Sequence, residues 1–461
     1  MKLREIIKTN PALQYVADNM ELMSSAGRRV LLDSEFLTDA TALMVEWEST
    51  ARAIRATADE GARRAYIDMR HCLMQLHDLQ GTLASLAMRT PLNEVELFEI
   101  KNLADLCRQA RTALATLELS DTLPLPDLSE VFQLLDPDHT GLTHFYIYDS
   151  YDPRLPGLRR ELKALQTSGG DPSRTAALVA EQNDIQQQVC LRLTDSLHAH
   201  HQALAEAMEL MAYADVLLAR AELALRWGLT RPVPGDHIAY RGLFNPRLRE
   251  HNRAEGLRYQ PVDIEVEAGV CLITGANMAG KTVLLKSVGT AQQMVQLGMY
   301  APADEAVVML VDDVATSIGD EQDEMNGLSS FASEIIKISN IIQRCRRERL
   351  LVLVDEPART TNPVEGKALV QALTALLGET GSFSLVTTHY SQLGAGCRRL
   401  RVKGFVENMC DLPLNPQTIN RFIDYSLTPD TSDEVPQEAL RIASILGCDE
   451  ALLERARQAL E

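Results

Sequence analysis

The sequence lacks the features of a secreted or membrane-spanning protein. No apolar run approaches the ~18 residues that a spanning helix requires, and the first twenty residues contain no continuous apolar segment of the secretory type. The eight cysteines are scattered through 461 residues without a CxxC pair. This pattern argues against a zinc ribbon or an iron–sulfur site and is typical of a reduced compartment. We therefore expect a cytoplasmic protein with no membrane partner.

A net positive charge is also missing. The chain has 45 Lys and Arg residues against 64 Asp and Glu residues, which gives a formal net charge of −19. A protein whose main task is to hold a phosphate backbone usually carries a basic stripe. The charge therefore argues against extensive nucleic-acid contact, although it leaves room for a local basic groove.

Residues 1 to about 235 are poor in glycine and proline, and their apolar residues recur at helical spacing. This pattern predicts an almost entirely helical domain without a fixed-period repeat. Proline, aspartate and glycine interrupt it between about 121 and 157, around a short β-like run at Phe145–Tyr148. The segment SGGDPS at 168–173 predicts a tight turn between two helices.

A loop-rich stretch at 228–263 predicts the domain boundary, and from residue 264 onward the pattern changes to alternating strands and helices. Predicted strands occupy 269–275, 307–314, 350–356 and 383–389, and predicted helices occupy 281–297, 331–347 and 364–378. The alternation predicts a doubly wound parallel sheet. The last residues predict two short helices around Gly447, with Asp449 as the N-cap of the second.

The segment GANMAGKT at 275–282 fits the pattern GxxxxGK[ST], and it follows a predicted strand and opens a predicted helix. In such a P-loop the backbone amides turn inward around phosphates, and the helix N-terminus adds a favourable dipole. We expect Lys281 to reach the β- and γ-phosphates and the Thr282 hydroxyl to bind Mg²⁺. The alternative is a chance match in a glycine-containing turn.

Two carboxylates, Asp355 and Glu356, follow the apolar run LLVLV. Asp355 suits the coordination shell of Mg²⁺, and Glu356 can orient or deprotonate an attacking water molecule. The alternative is a strand end whose acidic residues are merely solvated. Because the P-loop pattern is also present, the catalytic interpretation is favoured.

His389 and Ser329 are candidate site residues only because the P-loop pattern and the two carboxylates are also present. His389 ends a later predicted strand, where it can sense a γ-phosphate by hydrogen bonding, although a histidine there is otherwise structural. Ser329 lies in the segment GLSSF, which opens a helix whose free amides can bind an anion and reach the γ-phosphate of a facing subunit. The alternative for Ser329 is an ordinary helix cap.

Together these segments resemble the MutS family, whose ATPase domain belongs to the ABC-type P-loop enzymes. The resemblance spans about 250–460 and rests on ITGANMAGKT with QLGMYAPA, SIGDEQDEMNGLSSFASE, VLVDEPARTTNPVEGKAL and VTTHYSQL. More weakly, FYIYDSYDPRL at 145–155 is similar to the strand that leads into the lever helices of that family. The resemblance implies an α/β, ABC-type P-loop ATPase domain at 236–461 with C-terminal dimerisation helices, preceded by a mostly α-helical core and lever at 1–235.

The resemblance also implies roles for individual residues. Catalysis would fall to Lys281, Glu356 and His389, and Mg²⁺ would be bound by Thr282 and Asp355. Nucleotide contacts would come from Gly275, Asn277, Met278, Ala279, Gly280, Lys281, Thr282 and Val283, with Ser329 acting across a dimer. The implied ligands are ATP and Mg²⁺, and the contact in trans implies a homodimer with composite sites.

The chain departs from the family pattern at three positions. Ala279, Ala358 and Thr360 stand where the family usually has glycine, and the changes at Ala358 and Thr360 put communication across the dimer in doubt. We also expect neither a mismatch-reading domain before the helical region nor a nuclease-like domain after the ATPase domain.

Two kinds of client remain open. A protein client is implied by a resemblance of FYIYDSY and of residues 419–447 to the MutS-related subunits of reactivases for adenosylcobalamin-dependent lysine or ornithine aminomutases. Duplex or branched DNA, in mismatch repair or recombination control, is the more usual client of the family. The net charge of −19 and the expected lack of a mismatch-reading domain favour the protein client.

Three other features have simpler explanations. The segment DPDHTG at 136–141 matches the start of a calcium loop, but position 12 is Ile147 where a bidentate Glu is needed, so we predict a turn. The basic run at 343–349 is predicted to be the solvated end of a helix, with nucleic-acid contact as the alternative. Tyr259 is a weaker candidate for stacking on adenine.

Overall fold

The computed structural model divides the chain into two compact units. The helical unit contains Glu21–Asp33 and Ser49–Glu222, and the sheet unit contains Met1–Met20, Ser34–Glu48 and Leu223–Glu461. The structure describes residues 1–141, 144–169, 171–276, 279–319, 330–390, 393, 397–406, 419–430 and 439–459. The sheet unit thus includes two segments from the first 48 residues, whereas the sequence had suggested one boundary near residue 235.

The helical unit is built from helices that share one core of buried leucine, alanine and methionine side chains. Its helices are α3 (Ser25–Asp33), α5 (Arg63–Met74), α6 (Gln80–Ala87), α7 (Glu94–Thr116), α8 (Ser129–Leu134), α9 (Leu155–Ser168) and α10 (Pro172–His198), with most of α4 (Ala40–Ala58) and α11 (His201–Trp227). A capping box starts α7, because Asn93 accepts hydrogen bonds from the amides of Val95 and Glu96 while Glu96 accepts one from Asn93 N.

The predicted turn between two helices is confirmed at the end of α9. Gly169 adopts φ +67°, and the Asp171 side chain accepts a hydrogen bond from Ser173 N at the start of α10. The predicted β-like run at Phe145–Tyr148 is wrong, because these residues pair with no strand in the part of the chain that the structure describes. Their aromatic rings pack on one another instead, with the centroids of Tyr146 and Tyr148 4.2 Å apart.

The sheet unit alternates strands and helices after residue 230. Its elements are α1 (Leu3–Ile6), α2 (Pro11–Asp18), β1 (Val233–Pro234), β2 (Ile238–Leu243), α12 (Pro246–Ala254), β3 (Val262–Val266), β4 (Gly269–Thr274), α13 (Lys281–Gln296), β5 (Glu305–Val308), β6 (Asp313–Ser317), α14 (Ser330–Cys345), β7 (Leu350–Val354), α15 (Pro363–Gly378), β8 (Phe383–Thr387), β9 (Arg398–Phe405), β10 (Ile423–Pro429), α16 (Ala439–Ile445) and α17 (Glu450–Gln458). The three predicted helices after residue 264 are confirmed within two residues.

Six strands form one sheet in the order β10-β9-β4-β8-β7-β6. The strands β9, β4, β8, β7 and β6 are parallel, and β10 pairs antiparallel to β9 at the edge. Every residue of β7 and β8 is buried, which explains why both strands read as continuous apolar runs. The sheet is therefore mostly parallel, as predicted, with one antiparallel edge.

A second sheet, in the order β1-β5-β2-β3, corrects two predictions. The stretch at 228–263 contains more regular structure than predicted: the strands β1 and β2, the helix α12, which Asn245 caps, and the first two residues of β3. The single strand predicted at 307–314 is instead two strands, β5 and β6, in different sheets. Between them, Gln292 and Gln296 of α13 bond the backbone of Met309 and Val311, which takes this segment out of either ladder.

Helix α13 has an unusual buried polar face. Gln296 is fully buried; it donates to the carbonyls of Leu37 and Val311 at 2.8 Å and accepts from Val311 N and Gln292 Nε2. Asn10 donates to Gln293 at 2.7 Å. These side chains tie the segments before residue 48 to the helix that follows β4.

The C-terminal turn is confirmed, since Gly447 adopts φ +80° and Asp449 accepts a hydrogen bond from Leu452 N at the start of α17. Among the described residues, none of the helices has both the length and the apolar character needed to cross a membrane.

Candidate functional site

The predicted site residues follow three neighbouring parallel strands. Strand β8 lies between β4 and β7, so the carboxyl ends of all three meet at one edge of the sheet. Ile273 pairs with Thr387, and Val354 pairs with Val386. This register places Thr387 between the loop after β4 and Asp355.

The loop between β4 and α13 turns at two glycines. Gly275 has φ +144°, and a Cβ there would lie 3.3 Å from Val402 Cβ. Gly280 has φ +80°, and a Cβ there would lie 2.9 Å from the Tyr425 ring. Ala279 is buried. Asn277 and Met278 lie outside the described residues.

Lys281 begins α13 with its side chain folded back over this loop. Its Nζ donates to Gly275 O at 2.8 Å and to Ala276 O at 3.1 Å, and lies 3.2 Å from Glu356 Oε1. Only 5% of the side chain is exposed. A buried ammonium at a helix N-terminus gives the loop a positive electrostatic potential, which favours the binding of an anion.

A chain of short hydrogen bonds joins the three strand ends. The Thr282 hydroxyl donates to Asp355 Oδ2 at 2.6 Å, and the Thr387 hydroxyl donates to Asp355 Oδ1, also at 2.6 Å. Thr387 Oγ1 in turn accepts from Glu356 N at 2.9 Å. These bonds hold the carboxylate of Asp355 and the backbone amide of Glu356, whose own carboxylate lies beside Lys281.

Hard oxygen ligands are what Mg²⁺ prefers, and it commonly keeps waters and phosphate oxygens beside one or two protein oxygens. The hydroxyl of Thr282 and the carboxylate of Asp355 are adjacent and lie at the start of the helix that holds Lys281. The residues present therefore fit a nucleotide phosphate with its magnesium ion.

His389 follows β8 by two residues and is exposed. Loss of hydration lowers its pKa below the ordinary 6.5, with Glu356 opposing this shift and the positive charges of Lys281 and Arg359 adding to it. This shift favours the neutral imidazole, which lies within the field of the same charged groups.

The turn after β7 carries unusual backbone angles. Glu356 has φ +45° and Ala358 has φ +60°, both in the left-handed region that non-glycine residues rarely adopt. Ala358 therefore adopts a glycine-like conformation at one of the positions where glycine was expected from the resemblance. Thr360 is not among the residues with positive φ.

Three further predictions concern Val283, Ser329 and the basic run at 343–349. Val283 lies in the first turn of α13 and is 37% exposed, while Ser329 lies outside the described residues. The basic run lies at the end of α14, but Arg344 is paired and not merely solvated, with Asp313 at 2.8 Å and with Glu348 at 2.6 Å.

The other candidates also have internal partners. The Tyr259 hydroxyl accepts a hydrogen bond from Asn245 N at 2.8 Å, so its hydroxyl has a structural partner. Asp136 accepts bonds from Thr140 and Gly141, which fits the predicted turn.

Two contributions were not foreseen. In the sequence Thr387 is only one residue of the segment VTTHYSQL, and its contact with Asp355 depends on the pairing of β8 with β7, which the sequence does not show. Tyr425 of β10 packs beside Gly280, and Gln260 fixes its neighbour Asp424 by a 2.8 Å hydrogen bond. Neither contribution is visible in the sequence, because Thr387 and Tyr425 lie far along the chain from the loop at 275–280.

Comparison with known proteins covers the same region. Residues 271–461 match the family model described as MutS domain V. The chain is 34% identical over 210 residues to the DNA mismatch repair protein MutS of Thermus thermophilus, which is 46% of this chain and 25% of that protein. It is 32% identical over 282 residues to the endonuclease MutS2 of Agathobacter rectalis, which is 60% of this chain and 34% of that protein.

Residues 271–461 are therefore similar to domain V of MutS proteins. The chain matches only about a quarter to a third of the length of these curated relatives. The match lies mainly in the sheet unit, where the loop after β4 and the two carboxylates after β7 are found.

Proposed function

We propose that the chain is a magnesium-dependent ATPase of the MutS family with an ABC-type P-loop domain. The observation that carries the proposal is the hydrogen-bonded group of Thr282, Asp355 and Thr387 beside the buried Lys281. Few arrangements other than a nucleotide site would place a lysine, a hydroxyl and two carboxylates together at a helix N-terminus.

In this proposal each residue has one task. Lys281 and the amides of the loop 275–280 bind phosphate, and Thr282 with Asp355 holds Mg²⁺, which neutralises charge on the phosphates when bound. Glu356 accepts a proton from the attacking water. His389 donates or accepts a hydrogen bond at the terminal phosphate.

Further features of the proposal rest on the resemblance. Asn277, Met278, Ala279 and Val283 add nucleotide contacts, and Ser329 acts across a homodimer that α16 and α17 help to form. Residues 1–235 would supply a helical core and lever. The exposed Leu452 on α17, 59% accessible, is compatible with such a helix contact.

For the client we propose a protein whose conformation the ATP cycle changes, such as an adenosylcobalamin-dependent aminomutase. The net charge of −19 supports this choice, because a clamp on DNA would have to overcome it. A DNA client is the second candidate, and it is favoured by the names of the relatives, a mismatch repair protein and an endonuclease.

ATP turnover of the purified protein tests the enzymatic proposal. Lys281→Ala should lower turnover at least about 100-fold, because it removes a charge aimed at the phosphates. Lys286→Ala is the matched control, since Lys286 is an exposed lysine of the same helix. Turnover of the unchanged protein that does not exceed the Lys281→Ala value would refute the ATPase proposal.

The same assay separates the clients. Duplex and branched DNA are added at two salt concentrations, because phosphate contacts weaken as salt rises. Stimulation of ATP turnover by DNA that becomes weaker at the higher salt concentration would support the DNA client and overturn the proposal of a protein client. Turnover that ignores DNA but rises when a purified aminomutase is added would support the protein client.

A further inference from the structure

The strained turn after β7 is held from two sides. Ala358 is buried, has φ +60°, and lies two residues after Glu356, the candidate base. An alanine in the left-handed region is unfavourable unless its surroundings enforce it. The contacts of the Ala358 backbone therefore show what maintains this conformation.

The amide of Ala358 is bound by helix α14. Ala358 N donates to Glu334 Oε2 at 3.3 Å, and Glu334 lies in the second turn of α14. An amide paired with a carboxylate is worth more than one paired with a neutral acceptor. This contact links the turn to the helix that begins directly after Ser329.

The carbonyl of Ala358 is bound by the residue that follows His389. The Tyr390 hydroxyl donates to Ala358 O at 3.4 Å, and it fits a notch at Gly366 of α15, where a Cβ would overlap it. Burial raises the pKa of Tyr390, and the nearby negative charge of Glu334 adds to this shift, so the phenol stays protonated and able to donate. The aromatic rings of His389 and Tyr390 lie 4.2 Å apart.

We propose that Glu334 and Tyr390 are positioning residues that hold Ala358, and with it Glu356, in the conformation required for hydrolysis. The inference rests on the proposed ATPase function. Where glycine would adopt the turn unaided, this chain uses a carboxylate on α14 and a phenol beside His389 to impose it on alanine. The candidate phosphate sensor, the candidate base and α14 then move as one unit.

The proposal predicts a rescue that a packing role would not give. Tyr390→Phe and Glu334→Ala should each lower kcat about five- to tenfold, while the affinity for a non-hydrolysable ATP analogue stays within about twofold, because Lys281 and Thr282 are untouched. Adding Ala358→Gly to either variant should restore kcat to within about twofold, since glycine adopts positive φ freely.

Two conservative controls accompany the rescue. Glu334→Gln keeps an oxygen that can accept from Ala358 N, so its kcat should stay within about threefold of the parent. Tyr15→Phe removes a hydroxyl from a ring that stacks on Trp227 elsewhere in the sheet unit and should leave kcat unchanged. Failure of Ala358→Gly to rescue either variant, or an equal loss of analogue affinity, would overturn the proposal.

Hydrogen exchange provides a readout without turnover. In the protein without nucleotide, the Ala358 amide should exchange at least about fivefold faster in Glu334→Ala and in Tyr390→Phe than in the parent. Unchanged exchange across 356–361 would overturn the proposal even in an active enzyme. If the parent protein hydrolyses no ATP, the ATPase proposal fails, but faster exchange in these variants would still establish the two contacts.

Discussion

The Thr387 hydroxyl donates to Asp355 Oδ1 at 2.6 Å and accepts from Glu356 N at 2.9 Å, so one buried side chain of β8 binds the carboxylate of Asp355 and the backbone amide of Glu356. Thr387→Val keeps the shape of the side chain but leaves the amide of Glu356 and one oxygen of Asp355 without this partner. We expect kcat to fall about tenfold, equivalent to about 1.4 kcal/mol, a typical cost of one such loss.

Strand β8 offers a matched control for this change. Ser384 is fully buried in the same strand, and its hydroxyl has no hydrogen-bond partner among the described residues. Ser384→Ala should therefore leave kcat unchanged within about twofold. Equal losses of kcat in the two variants would mean that the strand tolerates no substitution, and would remove the special role of Thr387.

A change at Glu356 should impair hydrolysis of ATP without impairing its binding. Its carboxylate lies 3.2 Å from Lys281 Nζ and is mostly shielded from solvent. Glu356→Gln keeps the size of the side chain but removes the base, so we expect kcat to fall at least about 100-fold. Affinity for ATP, measured by equilibrium binding with Mg²⁺, should change by less than about fivefold.

An exposed acid on a nearby helix controls for the loss of negative charge. Glu365 lies in the first turn of α15, and Glu365→Gln should not alter kcat. A Glu356→Gln variant that retains more than about a tenth of the parent kcat would exclude Glu356 as the base.

Much of the sheet unit was predictable because its signals are local. The GxxxxGK[ST] pattern, the apolar run before Asp355 and the glycine at 447 each depend on a few consecutive residues. Buried parallel strands add continuous apolar runs, which is why β4, β7 and β8 were placed within two residues.

The errors concern contacts between residues far apart in sequence. The apolar run at 307–314 predicts a single strand. The strand is interrupted because the side chain of Gln296, on α13, forms hydrogen bonds with the backbone of Val311. Likewise, nothing local shows that residues 34–48 pack with α13, since the bond from Leu37 N to Gln296 O spans about 260 positions.

The buried face of α13 makes Gln296 a test of that packing. Gln296→Leu leaves the carbonyls of Leu37 and Val311, and the amide of Val311, without their partner inside the core. Unpaired buried groups cost about 1–3 kcal/mol each, so we expect the unfolding free energy to fall by about 4 kcal/mol. Urea unfolding followed by the fluorescence of Trp47 and Trp227, both in the sheet unit, measures this change.

An exposed glutamine shows whether the substitution itself is harmful. Gln187 lies on the solvent side of α10, and Gln187→Leu should change the unfolding free energy by no more than about 0.5 kcal/mol. A comparable small effect for Gln296→Leu would mean that its hydrogen bonds contribute little to the sheet unit.

The helical unit contains a buried ion pair that should make its stability depend on acid. Lys101 is fully buried, and its Nζ lies 3.2 Å from Asp136 Oδ1 and donates to the Tyr148 hydroxyl at 3.1 Å. Burial alone would raise the pKa of Asp136, but hydrogen bonds from Thr140, Gly141 and Lys101 outweigh it and lower the pKa to about 2. Because an ordinary Asp titrates near 4, the unfolded chain takes up this proton first.

The stabilisation from Asp136 should therefore be complete above about pH 5 and be lost as the pH falls from about 4 to 2. We expect Asp136→Asn to lower the unfolding free energy at pH 7 by about 3 kcal/mol, because it leaves the Lys101 charge buried without its carboxylate. This difference between parent and variant, measured by circular dichroism in urea, should shrink as the solution is acidified to pH 3. Asp138→Asn, an exposed neighbour, is the control and should show no comparable difference at any pH. A deficit of Asp136→Asn that is the same at pH 3 and pH 7 would show that the carboxylate does not stabilise the fold through its charge.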